Sequence, residues 1–246
     1  MAVQPAPVDR DDIRRSPVRQ SWRDVVFLHW PIDPATVRPL LPAGTAPDVC
    51  EGSSWVGVIG LRMTDLRFGP IPYPEFRELN LRLYSIDENG RRAVVFRTLE
   101  ATDPAFAALA RTTLALPYSW ADIACERGDG RIAYRTARRH PAPSGAGVHF
   151  RVALGNPIQP TALECALTDR WALHQSWYGR TLRLPLAHEP WPLRRATTLE
   201  WHDDGLFAAC GLPPPEGPPH STLYAESVTA RFGPPTSVRP ASWRAR

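Results

Sequence analysis

Lysine is missing from this sequence. All 29 basic side chains are arginine, set against 25 acids over 246 residues. The codon bias of a GC-rich genome accounts for such a skew, and its chemical consequence holds whatever the cause. No side-chain amine can form an imine with a carbonyl compound, and no P-loop lysine can hold a nucleotide phosphate. Long apolar runs are missing too. Nothing approaches the roughly 18 uninterrupted apolar residues of a membrane helix, and residues 1–21, rich in Pro, Asp and Arg, contain no apolar core of the signal-peptide kind. A cytoplasmic protein without a membrane partner is expected. Cys50, Cys125, Cys165 and Cys210 show no CxxC spacing. That argues against a zinc site and fits free thiols in a reducing compartment. No two histidines stand at i, i+2 or i, i+4, so a metal site would have to assemble from distant segments, and none is expected. Ser119 and Ser221 lack an elbow motif, which disfavours a serine hydrolase. The net charge of +4 is spread through the chain with no basic run longer than two residues, so no nucleic-acid partner is expected.

What is present is an alternating strand. In Glu78-Leu79-Asn80-Leu81-Arg82-Leu83-Tyr84, successive side chains face opposite sides, so three leucines share one face and Glu78, Asn80, Arg82 and Tyr84 share the other. Asn89-Gly90 predicts a type I′ hairpin turn, with Ala93-Val94-Val95-Phe96 returning as the partner strand. Asp103-Pro104 supplies a cap and a first-turn proline for a helix over Ala105–Leu114. That helix leads to Leu116-Pro117-Tyr118.

Residues 1–20 read as a flexible arm and 236–246 as a tail, flanking one domain over 21–235. Further strands are expected at Asp24–Trp30, ended by Pro31, and at Ser54–Met63, where the glycines suggest a bend or close backbone approach. Asp33-Pro34 opens a short helix. Trp120–Glu126 and Ile132–Arg138 form a hairpin around Gly128-Asp129-Gly130. Val148–Leu154 is a strand. Thr161 with Glu164 matches a capping box. Arg170–Tyr178, Thr181–His188 and Leu223–Phe232 read as strands, and Ala196–Trp201 with Leu206–Cys210 as another hairpin. Ten or so strands with a few short helices predict an α+β chain, mostly antiparallel β, in a curled or closed β-barrel or cone.

Five ordered motifs carry a resemblance across roughly residues 21–232. They are Trp30-Pro31-Ile32-Asp33-Pro34 with Leu41-Pro42-Ala43-Gly44, the strand from Glu78 to Tyr84, Ala110-Arg111 with Leu116-Pro117-Tyr118, Leu167-Thr168-Asp169-Arg170-Trp171, and Pro190-Trp191-Pro192-Leu193. In these the chain resembles the YqjF-like family of uncharacterised bacterial proteins, which is similar to the acetoacetate decarboxylase superfamily. The resemblance implies a curled antiparallel barrel enclosing a small-molecule pocket. Assemblies are usual among the decarboxylases, so a homo-oligomer is left open, although no interface can be read here. The decarboxylases carry their Schiff-base lysine just after a proline in a helix-to-strand connection. Tyr118 takes that place. Its phenol, with an ordinary pKa of about 10, cannot make an imine but can donate a proton or hydrogen-bond a carbonyl. Decarboxylation through an amine is excluded.

If the polar strand face points into a barrel lumen, Arg82 can clamp a carboxylate, Glu78 can act as acid or base, and Asn80 and Tyr84 can contact a ligand. The alternative is a solvated face, or pairing with neighbouring strands. Tyr118 is a candidate pocket wall or a buried aromatic with a satisfied hydroxyl. Arg111 is an anion clamp or a solvated helix residue, and Arg170 and His174 share a strand face by the period of two. His188-Glu189 before Pro-Trp-Pro reads as a structural corner in which Trp191 covers the core. Two functions follow. One is an enzyme without a cofactor, a lyase, isomerase or cyclase acting on a small anionic or carbonyl compound, with Glu78, Tyr118 and Arg82 as catalytic residues. The other is a non-catalytic ligand-binding or sensing protein on the same fold.

Overall fold

The computed structural model describes residue 16 and residues 18–238. Its strands are β1 (Val18–Ile32), β2 (Thr45–Pro47), β3 (Ser54–Phe68), β4 (Ile71–Pro72), β5 (Phe76–Asp87), β6 (Arg92–Ala101), β7 (Tyr118–Gly128), β8 (Arg131–His140), β9 (Gly147–Pro157), β10 (Ala172–Trp177), β11 (Arg180–His188), β12 (Leu193–Asp204), β13 (Ser221–Phe232) and β14 (Thr236–Val238). Four helices accompany them: α1 (Pro34–Val37), α2 (Pro104–Leu114), α3 (Ala162–Thr168) and α4 (Leu206–Ala209). The expected arm and tail lie outside the described residues except at their inner ends. Val18 to Gln20 already pair with β13, and Thr236 to Val238 pair with β11.

The local signals hold where they were strongest. Asp103 accepts from the Phe106 amide at 2.8 Å with Pro104 in the first turn, and Thr161 and Glu164 close a capping box. Asp129 and Gly130 both take positive φ, which makes a tight hairpin turn of the primed kind. Asn89-Gly90 is different. Only Gly90 is left-handed, while the Asp87 carboxylate accepts from the amides of Asn89 and Arg91. The aspartate side chain therefore organises a longer loop in place of the expected type I′ turn. β1 also runs through Pro31, since a proline is tolerated where the strand ends. Leu206 to Ala209 is a helical turn and not a strand. The Asp203 carboxylate accepts from the amides of Leu206 and Phe207 and starts it, and β12 pairs with β9 and β13 instead.

The sheet is almost wholly antiparallel and closes on itself twice. β6, β5, β3, β1 and β13 form a shared spine, and both outer members of that spine fork. The beginning of β6 meets β10, whereas its end runs parallel to β7. β13 pairs with β12 over Leu223–Ala225 and with β11 over Ala230–Phe232. One ring thus passes through β10 and β11, the other through β7, β8, β9 and β12.

Because each spine strand serves both rings, both of its faces are buried. Leu79, Leu81 and Leu83 pack with Val26, Leu28, Val58, Ile132, Tyr134 and Phe150 into a solid core inside the second ring. A second set of strands covers them on that side. The opposite face of β5 looks into the first ring. Two bulges keep the faces apart. In β1 the register shifts at Asp24, which takes φ 54°, so Trp22 and Phe27 reach the same side despite their odd spacing. The Asp24 carboxylate is held there by Arg62 at 2.9 Å and Arg127 at 2.7 Å. In β6 the shift falls at Arg97, which bonds the carbonyls of Leu40 and Cys210.

Candidate ligand cavity

The first ring encloses a cavity of 570 Å³. β1 supplies Val25 and Phe27, β3 supplies Ile59, Leu61 and Met63, and β11 supplies Leu184, Leu186 and His188. α2 lies across it, with Phe106 and Ala110 turned inward. The wall is predominantly apolar, and β5 brings three of its polar groups. Glu78, Asn80 and Arg82, three consecutive residues of one strand face, all line it.

Glu78 is buried, and that burial raises its carboxyl from an ordinary 4.5 to about 7. Two hydrogen bonds work against the rise. The Tyr118 hydroxyl donates to Oε2 at 2.8 Å and the Asn80 amide donates to Oε1 at 3.3 Å. Tyr118 is itself buried at the start of β7, and burial beside Glu78 pushes its phenol well above the usual range. It stays protonated and stays a donor. Arg111 does not reach the cavity: it is exposed near the end of α2 and donates to the Tyr118 carbonyl at 2.9 Å. That bond ties the helix end to the strand that carries Tyr118.

Arg82 is 9 % exposed. Its Nε donates to the Tyr84 hydroxyl at 3.1 Å and its Nη2 to the Leu167 carbonyl at 3.0 Å. No carboxylate among the described residues pairs with it. Arg170 also lines the cavity and is 4 % exposed. It sits just before β10, and its Nη1 meets Asp48 at 2.5 Å while Nε and Nη2 have no hydrogen-bond partner among the described residues. Both guanidiniums gather around one ring, at 5.5 Å (Arg82) and 4.7 Å (Arg170) from the centre of Tyr84.

Tyr84 follows the strand parity of Glu78 and Arg82 but does not line the cavity. Fully buried, it packs behind Arg82, where its hydroxyl lies 2.8 Å from Nε2 of His29. Burial, reinforced by the two arginines, holds the His29 imidazole well below the usual histidine range. His174 does not line the cavity either. It is fully buried away from the cavity, with Nδ1 2.9 Å from the Ser85 hydroxyl, and burial lowers its pKa to about 4. The face that it was expected to share with Arg170 does not form, because the strand starts only at Ala172.

Other cavity residues had no clear signal in the sequence. His188 and Trp191, read as a corner over the core, stand in the cavity wall. His188 stacks on Trp171 at 4.5 Å and lies 4.9 Å from Trp191, which stacks on Trp22 at 5.8 Å. Burial lowers the His188 pKa to about 4, and its Nδ1 meets the Glu189 carbonyl at 2.6 Å, so the neutral ring donates from that nitrogen. Asp48, which positions Arg170, belongs to the loop after β2, 122 residues from its partner along the chain.

A family model described as "Uncharacterized conserved protein", DUF2071, matches residues 19–229. The uncharacterised protein YqjF of Bacillus subtilis is 29% identical over 222 residues, covering 88% of this chain and 90% of that protein. Among solved structures, the enduracididine biosynthesis enzyme MppR complexed with pyruvate superposes with a TM-score of 0.65 at 15% identity, covering 92% of this chain and 91% of that one. An acetoacetate decarboxylase-like enzyme from Sphingomonas wittichii RW1 gives 0.63 at 14% identity, over 93% and 96%. At these identities the structural likeness is one of fold, and the fold is that of the acetoacetate decarboxylases.

Proposed function

The chain belongs to the DUF2071 family, and from that starting point we propose that the ring cavity binds a small carboxylate or carbonyl compound and acts on it by acid–base chemistry. One observation carries the reading. Arg82 is a buried guanidinium that lines an apolar cavity and has no carboxylate partner among the described residues. A cation buried without a counter-charge is costly, and an incoming carboxylate would supply that charge. The unpartnered Nε and Nη2 of Arg170 favour the same occupant. MppR, on the same fold, is described in complex with pyruvate, which makes pyruvate a rational first probe.

In this reading Arg82 anchors the anion, Glu78 moves a proton and Tyr118 polarises an oxygen. The phenol has one hydrogen, and in the unliganded site it goes to Glu78. Turning it to a ligand oxygen removes a bond that favours the carboxylate form of Glu78 and so makes Glu78 a stronger base as the substrate is engaged. A carboxyl with a pKa of about 7 suits a group that must both take and return a proton near neutrality. The chemistry is that of a lyase, isomerase or cyclase. It proceeds without an imine, because Tyr118 stands where the resemblance places the decarboxylase lysine and the chain has no other lysine to offer.

A second reading has its own support. Both Glu78 oxygens are engaged by internal donors, which fits a specificity contact in a protein that binds without turnover. Titrating pyruvate and acetoacetate into the wild-type chain, Arg82→Gln and Glu78→Gln, and following deuterium exchange at the methyl group of pyruvate, separates the two. For an enzyme, binding depends on Arg82 and exchange is lost in Glu78→Gln while binding persists. Binding without exchange in the wild type favours the non-catalytic protein. Binding indifferent to Arg82→Gln removes the carboxylate reading.

A further inference from the structure

Resting on the carboxylate reading of this cavity, we propose that its ligand is an elongated amphipathic acid. The carboxylate lies at Arg82 and Arg170, and a hydrocarbon or aryl tail much longer than that of pyruvate runs along β5 past Glu78 to an apolar mouth.

The first support is the order of groups along the strand. Arg82, Asn80 and Glu78 follow one another on one face, opposite Gly57, Ile59 and Leu61 of β3. Four residues of strand cover about 13 Å. The cationic end and the Glu78–Tyr118 pair are therefore successive stations along an axis. Beyond Glu78 the same axis continues into Met63 and Leu66, with no further charged group on β3 or β5 lining it.

The second support is size. At 570 Å³ the cavity falls well inside the range of about 300–1,000 Å³ that encloses drug-sized ligands. Pyruvate would touch the polar ladder and leave most of the apolar wall uncovered.

The third support is the rim. Phe68, Leu109 and Leu114 line the cavity and yet are 38%, 51% and 46% exposed. Large apolar side chains left in water around an opening mark a place where apolar matter enters or rests. With its guanidiniums buried and these apolar side chains partly exposed, the cavity matches an acid that goes in head first.

The test is a homologous series of unbranched 2-oxo acids, from pyruvate to 2-oxodecanoate, titrated calorimetrically into the wild-type chain, Arg82→Gln and Leu109→Gln. Leu109 is half exposed on α2, so its substitution leaves the fold intact. The dissociation constant is expected to fall about fourfold per added methylene until the chain fills the cavity, the equivalent of about 0.8 kcal/mol each. Arg82→Gln should weaken every member by one common factor, and Leu109→Gln only the long ones. A series whose affinity is flat or declining with length, while pyruvate binding still depends on Arg82, overturns the tail and leaves the carboxylate reading standing. If the corresponding long-chain alcohols bind as tightly as the acids and Arg82→Gln changes nothing, the carboxylate reading fails and this proposal with it. Absence of binding across the whole series overturns both.

Discussion

The Tyr118 hydroxyl donates to Oε2 of Glu78 at 2.8 Å in a place where both residues are buried. The bond favours the ionised carboxyl, but burial wins and leaves Glu78 with a pKa of about 7. Its unfolded value is near 4.5, so between those two pH values the folded chain binds the extra proton. Folding is then opposed progressively as pH rises from about 4.5 to about 7, by a total of about 3 kcal/mol, and the penalty stays constant above. Urea denaturation of the wild-type chain and Glu78→Gln at pH 5 and pH 8 reads this directly. The wild type should lose about 2 kcal/mol more over that interval than the variant, whose side chain does not titrate. Parallel losses in the two would mean that Glu78 ionises at its ordinary pH in the fold.

Removing the donor tests the same bond from the other side. Tyr118→Phe takes away a contact that is stronger to the ionised carboxylate than to the neutral acid, so the Glu78 pKa should climb further. Carbon-detected NMR titration of the Glu78 carboxyl reads the change. The loss of stability should be about 1–3 kcal/mol at pH 8, where Oε2 is left charged and unpaired, and small at pH 5, where the acid is neutral. Equal losses at both pH values would indicate that the phenol contributes by packing alone.

Part of this site was legible before the structure. The alternation from Glu78 to Tyr84 announced a strand face with an acid, an amide and a cation at intervals of two, and three of those four residues line the cavity. Tyr84 departs because alternation fixes the side of a sheet but not how far along that side a cavity extends. Beyond Arg82 the space is filled by Tyr84 itself with His29. Arg170 was read from its neighbours, but its partner Asp48 was not, since pairing across 122 residues leaves no local spacing to find. Leu206–Cys210 misled because a short apolar run does not distinguish a strand from a turn of helix, and the Asp203 cap decided it. The double closure of the sheet was out of reach. It depends on one edge of β6 and one edge of β13 each being shared between two neighbours, which no periodicity encodes.

The side chains of Asp48 and Arg170 are each 3% exposed and pair at 2.5 Å, with Arg92 adding a second contact to Asp48 at 3.4 Å. Asp48→Asn leaves a buried guanidinium without its counter-charge, which is expected to cost about 3–5 kcal/mol. For a chain of this size the melting temperature should drop by about 10 °C or more. The exposed pair of Arg139 and Asp122 is the control: Asp122→Asn should leave the melting curve where it is, because water screens that contact. A drop of equal size in both variants would show that burial is not what makes the Asp48 pair matter. A carboxylate ligand should restore part of the Asp48→Asn loss by placing a negative charge beside Arg170.

Gly57 sits opposite Arg82 in the β3–β5 register, and the space that its missing side chain leaves is taken by Tyr84. A Cβ at position 57 would lie 2.9 Å from the Tyr84 hydroxyl and 3.0 Å from Cδ2 of His29. Tyr84 has no room to retreat, being fully buried, and its hydroxyl is the acceptor for Nε of Arg82. Gly57→Ala should therefore cost about 1–3 kcal/mol through overpacking and, by displacing that acceptor, weaken carboxylate binding as well. Tyr84→Phe removes the obstructing oxygen at the expense of a bond to Arg82. If the hydroxyl is the obstacle, the double variant Gly57→Ala/Tyr84→Phe is more stable than the two single losses combined would allow, since the second change removes the clash created by the first. Strict additivity would place the strain on His29 or Ile59 instead. An unperturbed Gly57→Ala would mean that the packing behind Arg82 is looser than these distances describe, and that Arg82 is held in position by the Leu167 carbonyl alone.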